Sequence, residues 1–257
     1  MPFIQYSPQR QSYAYYAAGS VNVNTAYPVT MMLNLADRTQ STRSSSTTAT
    51  KICIDFGANT VIGAFSIEGV NFGSLQLQAS LAATPATMVA AGTFTTTAID
   101  KEDRRRKWLC IPTISWNHRY ATLTPSSPDA GADYFEIQNC GAWPTLTTMI
   151  SNVEVPYRKT HFDKAQVFDL ESAGEEIGPS PSIRLLIGAS AKFDRQQTAD
   201  LDLYLEVAAI PRNRVWLWYE NQADLTKMYH VTKAESVEIT RNIGTWEMAN
   251  LQLREVG

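Results

Sequence analysis

CIDFGANTVIGAFSIEGVNFGSLQLQAS, residues 53–80, decides the fold class. Ile52, Ile54 and Phe56 alternate with Cys53 and Asp55, residues 61–70 are strand-like, and Leu75, Leu77 and Ala79 alternate with Gln76, Gln78 and Ser80. A period of two puts successive side chains on opposite faces of a strand, and nothing in the window recurs at helical spacing. Asn and Gly interrupt the alternation twice, at Gly57 and Asn59 and again at Asn71 and Gly73, where turns are expected.

Working outward, further strands are expected over residues 93–99, 107–114, 120–123 and 133–138, separated by Gly, Pro, Asn and Asp with no helix between them. Short strands in that arrangement predict an antiparallel β-sandwich of jelly-roll type. Residues 1–20, with Tyr6, Tyr13, Tyr15 and Tyr16 among Gln and Ser, read as an extended arm that docks on a neighbour, or equally as an edge strand. RTQSTRSSSTTAT, residues 38–50, reads as a solvated surface loop.

The C-terminal part has a different texture. Residues 156–182 read as a linker, and IRLLIGASAKF, residues 183–193, as a strand. Asp194 with Gln197 resembles a capping box before Leu201, Tyr204, Leu205 and Ala208 at helical spacing, and Pro211 stops the helix. RVWLWYE is short and continuously apolar, as a strand buried on both faces would be. Tyr229, Val231, Val237 and Ile239 share a face, and in the last strand the apolar phase slips near Ala249, which predicts a bulge. Trp216, Trp218 and Trp246 are assigned to the core of this part. The expected fold is mainly β: an arm at 1–20, an antiparallel β-sandwich (jelly-roll-like) at 21–155, a linker at 156–182, and at 183–257 a β-sheet module with one packed α-helix.

At 257 residues the chain suits one large β domain or two ordinary ones, and 44% hydrophobic residues suffice for a core. A formal net charge of −3 supplies no general attraction to phosphate, so no nucleic-acid specificity is expected. KEDRRRK, residues 101–107, is the one concentrated basic run; Arg104, Arg105 and Arg106 beside Glu and Asp read as a surface ion-pair patch, with an intersubunit contact as the functional alternative. Cys53, Cys110 and Cys140 lack CxxC or Cys/His spacing, so neither a disulfide framework nor a zinc site is expected, and buried free thiols in a reducing compartment are the simplest reading. The opening residues lack a basic region followed by an apolar stretch, so no signal peptide is expected, and no run approaches the roughly 20 apolar residues of a membrane span.

Catalytic constellations are missing. His118, His161 and His230 lie in no metal-binding motif, GxSxG and GxxxxGK[ST] do not occur, and the DFG at residues 55–57 follows a strand with no catalytic-loop partner. The carboxylates Asp100, Glu102, Asp103, Glu175 and Glu176 sit in loops, where sequence adjacency implies no convergence on a cleft. The loops at 34–40 and 126–136 hold oxygen ligands that a calcium ion could use, although turn chemistry accounts for the same residues. No enzyme, cofactor or metal is therefore expected. Trp108, Trp116 and Trp143 raise the question of a sugar platform, against which stands the tendency of strand tryptophans to be core.

Four stretches together resemble structural proteins of tailed-bacteriophage tails whose first domain is a galactose-binding or discoidin-like β-sandwich. YPVTMMLNLADRTQSTRSSSTTATKICIDFGA (27–58) looks like the opening of such a domain, VIGAFSIEGVNFGSLQLQAS (61–80) like its next hairpin, and KWLCIPTI (107–114) with HRYATLTPSSPDAGADYFEIQNCGAW (118–143) like its later strands. Residues 183–256 are similar to the sheet-plus-helix module of distal-tail proteins. The resemblance implies a non-enzymatic virion component, made in the host cytoplasm and located in the tail. It would form a hexameric or trimeric ring with itself that joins the tail tube to the hub or fibres, with no membrane insertion. Tyr6, Tyr13, Tyr15, Tyr16 and Arg104–Arg106 are then the candidate interface residues. The alternative is a carbohydrate-binding module for a host-surface glycan, with Trp116, Trp143, Asp133 and Tyr134 as candidate contacts.

Overall fold

The alternation in residues 53–80 does produce strands, but the strands do not pair with one another. The computed structural model describes residues 5–7, 14–15, 20–35, 39–81, 88–98, 106–144, 146–148, 153–162, 167–170, 174–177, 184–194, 205, 209–211, 214–219, 226–233, 238–241 and 245–255. In chain order the elements are β1 (Gln5–Ser7), β2 (Ala14–Tyr15), α1 (Val29–Met32), β3 (Thr42–Arg43), β4 (Ile52–Ile62), β5 (Ala64–Val70), β6 (Phe72–Ser80), β7 (Val89–Thr95), β8 (Lys107–Cys110), β9 (Trp116–Pro128), β10 (Glu136–Trp143) and β11 (Thr147–Thr148). They continue with β12 (Val153–Phe162), β13 (Val167–Leu170), β14 (Gly174–Ile177), β15 (Arg184–Asp194), β16 (Trp216–Tyr219), β17 (Met228–Lys233), β18 (Glu238–Arg241) and β19 (Thr245–Glu255).

Two compact units result, one formed by Met1–Phe3, Met149–Val215 and His230–Gly257, the other by Ile4–Thr148 and Trp216–Tyr229. The second unit contains a five-stranded antiparallel sheet, β2-β4-β9-β6-β7, and a four-stranded one, β3-β10-β5-β8. Single residues, Gly63 and Asn71, join β4 to β5 and β5 to β6, and each connection carries the chain from one sheet to the other. The expected hairpin at 61–80 is therefore corrected: with one-residue connections the strands turn a sandwich corner, β4 pairs with β9, β5 with β8 and β10, and β6 with β7 and β9.

Both sheets contribute to one core. Ile52, Ile54, Phe56, Leu75, Leu77, Trp116 and Leu123 from the five-stranded sheet meet Phe65, Ile67, Val70, Cys110, Ile137 and Cys140 from the four-stranded one. Phe65 and Trp116 cross edge-on at 5.1 Å toward one end of the sandwich, and Phe72 and Phe135 at 5.8 Å toward the other.

β5 has no wet face. Ser66 and Glu68 are as buried as Phe65 and Ile67. On that outer face Trp143 Nε1 donates to Ser66 Oγ at 2.8 Å, and Lys107 Nζ lies 4.5 Å from the ring centre of Tyr229. β16 is buried throughout, as its apolar run predicts. It belongs with the sandwich unit rather than with a C-terminal module, because it pairs with β1 through Gln5↔Tyr219 and Tyr6↔Trp218. Residues 1–20, expected as either an extended arm or an edge strand, contain the ladder strands β1 and β2.

In the other unit β12, β15 and β19 lie side by side, with β18 and residues 231–233 of β17 along the far edge of β19. Residues 156–182, read as a linker, carry most of β12 and the β13–β14 hairpin. The bulge near Ala249 is present: Ala189 faces Leu251 while Ala191 faces Met248, so two residues of β19 oppose Ser190. Asp194, expected to cap a helix, ends β15 opposite Thr245. Leu205 and Ala209 are helical, and the rest of the expected helix lies outside the described residues. No helix among the described residues is long and apolar enough to cross a membrane.

Candidate functional site

One end of the sandwich gathers the β9–β10 loop, the β5–β6 corner, the start of β8 and the short strand β3. β3 lies at the edge of the four-stranded sheet with Arg43 directly opposite Glu136, so both side chains leave the same face within reach of each other. Arg43 Nε donates to Glu136 Oε1 at 3.1 Å, and Arg43 Nη2 approaches the same oxygen at 3.1 Å. Ser41 Oγ donates to that oxygen too and accepts from Arg43 Nε at 3.3 Å. Glu136 Oε1 is therefore the hub of three contacts.

Two tyrosines flank the guanidinium. Its carbon lies 4.5 Å from the ring centre of Tyr27 and 4.9 Å from that of Tyr134, within cation–π range of both. The loop carrying Tyr27 is pinned by Asn24, whose Oδ1 accepts from Ala26 N at 2.9 Å, and by a bond from Arg43 N to Tyr27 O at 3.2 Å. Asn71 fixes the opposite loop, donating from Nδ2 to Tyr134 O at 2.9 Å and accepting at Oδ1 from Glu136 N at 2.7 Å. Burial works against the Arg43 charge, but the Glu136 carboxylate outweighs it and holds the Arg43 pKa above its ordinary value. The ion pair remains partly open, with side-chain exposures of 31% for Arg43 and 21% for Glu136.

Beside this cluster Arg106 Nη1 donates to both carboxylate oxygens of Asp129, at 2.7 and 2.8 Å, while Asp129 N donates to Asn71 O. Arg106 is thus paired within the chain, to an aspartate outside the basic run; Arg104 and Arg105 lie outside the described residues. So do Tyr13 and Tyr16, while Tyr6 and Tyr15 fall on the strands β1 and β2. Among the described residues no three His, Cys, Asp or Glu side chains cluster as metal ligands.

The structure separates the four candidate sugar contacts. Asp133 is exposed and Tyr134 half-buried at the loop end. Trp116 and Trp143 are buried, the first in the shared core and the second against Ser66, so neither offers a ring face to a ligand. The core tendency of strand tryptophans prevails here.

No family model matches the chain, and no curated protein does. Solved structures do. A structure of reduced XRCC1 bound to DNA pol beta catalytic domain matches over 52% of this chain and 97% of its own, with 8% identity and a TM-score of 0.43. The solution structure of the XRCC1 N-terminal domain, a single-strand break repair protein, matches over 53% and 99%, with 10% identity and a TM-score of 0.43. CBM32-1 from a family 31 glycoside hydrolase of Clostridium perfringens matches over 53% and 96%, with 10% identity and a TM-score of 0.37.

Sequence reasoning missed Tyr27, Arg43, Ser41, Asn71 and Glu136. Arg43 lies within a Ser/Thr-rich stretch that reads as solvated loop, and Glu136 stands 93 residues away. Only the β3–β10 pairing makes them neighbours.

Proposed function

We propose that this chain is a non-enzymatic recognition protein whose sandwich binds carbohydrate at its loop end, through the Tyr27–Arg43–Tyr134 stack and Glu136. The supporting observation is that stack: two half-buried tyrosine rings flank an ion pair that is oriented before any ligand arrives. Sugars present apolar C–H faces and hydroxyl edges, which suit aromatic rings and fixed planar polar groups respectively. Pre-orientation lowers the ordering cost of binding. Glycan-array binding of the full chain, followed by titration calorimetry on hits, tests the reading. Tyr27→Ala and Tyr134→Ala should each weaken binding about tenfold or more with the melting transition retained. Binding that survives both substitutions sinks it.

A second reading, favoured by the edge of the five-stranded sheet, is the virion tail role implied by the sequence resemblance. β7 ends that sheet, and Val89 upon it is 44% exposed with Leu81 nearby at 61%. A neighbouring subunit could cover such an edge in a ring, with tube, hub or fibre proteins as further partners and the virion tail as location. The two readings are compatible, since a tail protein can carry a sandwich that touches host-surface glycan. Native mass spectrometry and electron microscopy of the full chain test the second; a monomer at every concentration tried argues against it.

A further inference from the structure

We infer that the loop-end site selects uncharged sugars and rejects acidic ones, and that Glu136 is the residue that sets this preference. The inference rests on the carbohydrate reading above and concerns the ligand class of that same site. Glu136 Oε1 is saturated by Ser41 and Arg43, whereas Glu136 Oε2 and Arg43 Nη1 have no protein partner among the described residues. What remains is one acceptor and one donor on a single, partly exposed ion pair. A hydroxyl both accepts and donates, so different hydroxyls of one sugar can satisfy Arg43 Nη1 and Glu136 Oε2.

A carboxylate ligand lacks the proton for Glu136 Oε2 and meets a like charge there. Arg43 offers it little in return, because its charge is already compensated by Glu136 at 3.1 Å and its guanidinium lies over the rings of Tyr27 and Tyr134. Asp133, exposed on the same loop, adds a second negative charge. Like charges brought together at a binding surface act as an excluding element, which is how a site discriminates between ligands of similar shape. Removing the Glu136 charge while keeping its shape releases the cation for an acidic ligand.

Full-length protein is applied to an array printed at equal density with hexose-terminated glycans and their hexuronate-terminated counterparts. The expected result is at least a tenfold preference of the native chain for the hexose series. Glu136→Gln, isosteric with the native side chain, should lower that preference about tenfold or reverse it. Independently of any variant, hexose binding by the native chain should hold steady between about 0.05 and 0.5 M salt, because a neutral ligand has no charge to screen. Equal or better hexuronate binding by the native chain, an unchanged preference in Glu136→Gln, or a tenfold loss with salt overturns the inference while leaving the carbohydrate reading in place. Binding to neither series overturns both.

Discussion

Arg119 donates from Nε and Nη2 to the two carboxylate oxygens of Asp55, both at 2.8 Å, across the bulge where β4 runs past β9. Gly57 N adds a third bond to Asp55 Oδ1 at 2.7 Å. The Arg119 bonds hold the Asp55 pKa below its ordinary value despite partial burial, which pushes the other way. A depressed folded pKa means that the carboxylate stabilises the fold above the unfolded pKa of about 3.9, and that this contribution is lost as pH falls through the folded value. Arg119 is 41% exposed, so water screens the pair and Arg119→Met should cost only about 1 kcal/mol at pH 7. Urea melts of both proteins at pH 7 and at a pH below the folded pKa of Asp55 check this: the difference should shrink as Asp55 takes up its proton. A difference of equal size at both pH values would contradict it.

Ser66→Ala should destabilise the sandwich by about 1–3 kcal/mol, because it leaves the buried Trp143 Nε1 without its acceptor. Trp143→Phe removes the donor instead and exchanges that penalty for a packing loss. In a thermal-melt double-mutant cycle, Ser66→Ala should therefore cost clearly less in the Trp143→Phe background. Strict additivity would show that the bond contributes nothing.

Gly57 and Gly69 both adopt a positive φ, at 79° and 62°. A Cβ at Gly57 meets nothing within 4 Å, whereas at Gly69 it collides with the Gln138 side chain. Gly57→Ala should cost about 1–2 kcal/mol from backbone strain alone. Gly69→Ala should cost more, since the Gln138 side chain must also move. Chemical denaturation ranks the two, and the reverse order would exclude Gln138 as the obstacle.

All three thiols should resist modification in the folded protein. Cys53, Cys110 and Cys140 are free and buried, and burial raises the thiol pKa of Cys53 and, more strongly, of Cys110, which Cys140 raises further. The thiolate is the reactive form, so an aromatic disulfide reagent at pH 8 should titrate no cysteine before denaturant is added and three afterwards. Rapid native-state labelling of any one would reveal local opening of its strand.

The sequence by itself determined that this is a β protein. Alternation at Ile52–Phe56 and Leu75–Ala79, the buried run at β16 and the phase slip at Ala249 are local signals, each set by which face of a strand meets apolar neighbours. Only the tertiary structure decided which strands are partners. Residues 61–80 cross between sheets instead of forming a hairpin, and β1 joins β16 some two hundred residues later, because pairing depends on edges that the folded chain alone creates. The same limit hid the site. Arg43, Tyr27, Tyr134 and Glu136 carry no spacing signature, and the polar Ser66 and Glu68 of β5 are buried because other parts of the unit cover them. Periodicity reports what a strand offers on each face; what arrives to cover that face is settled by long-range packing.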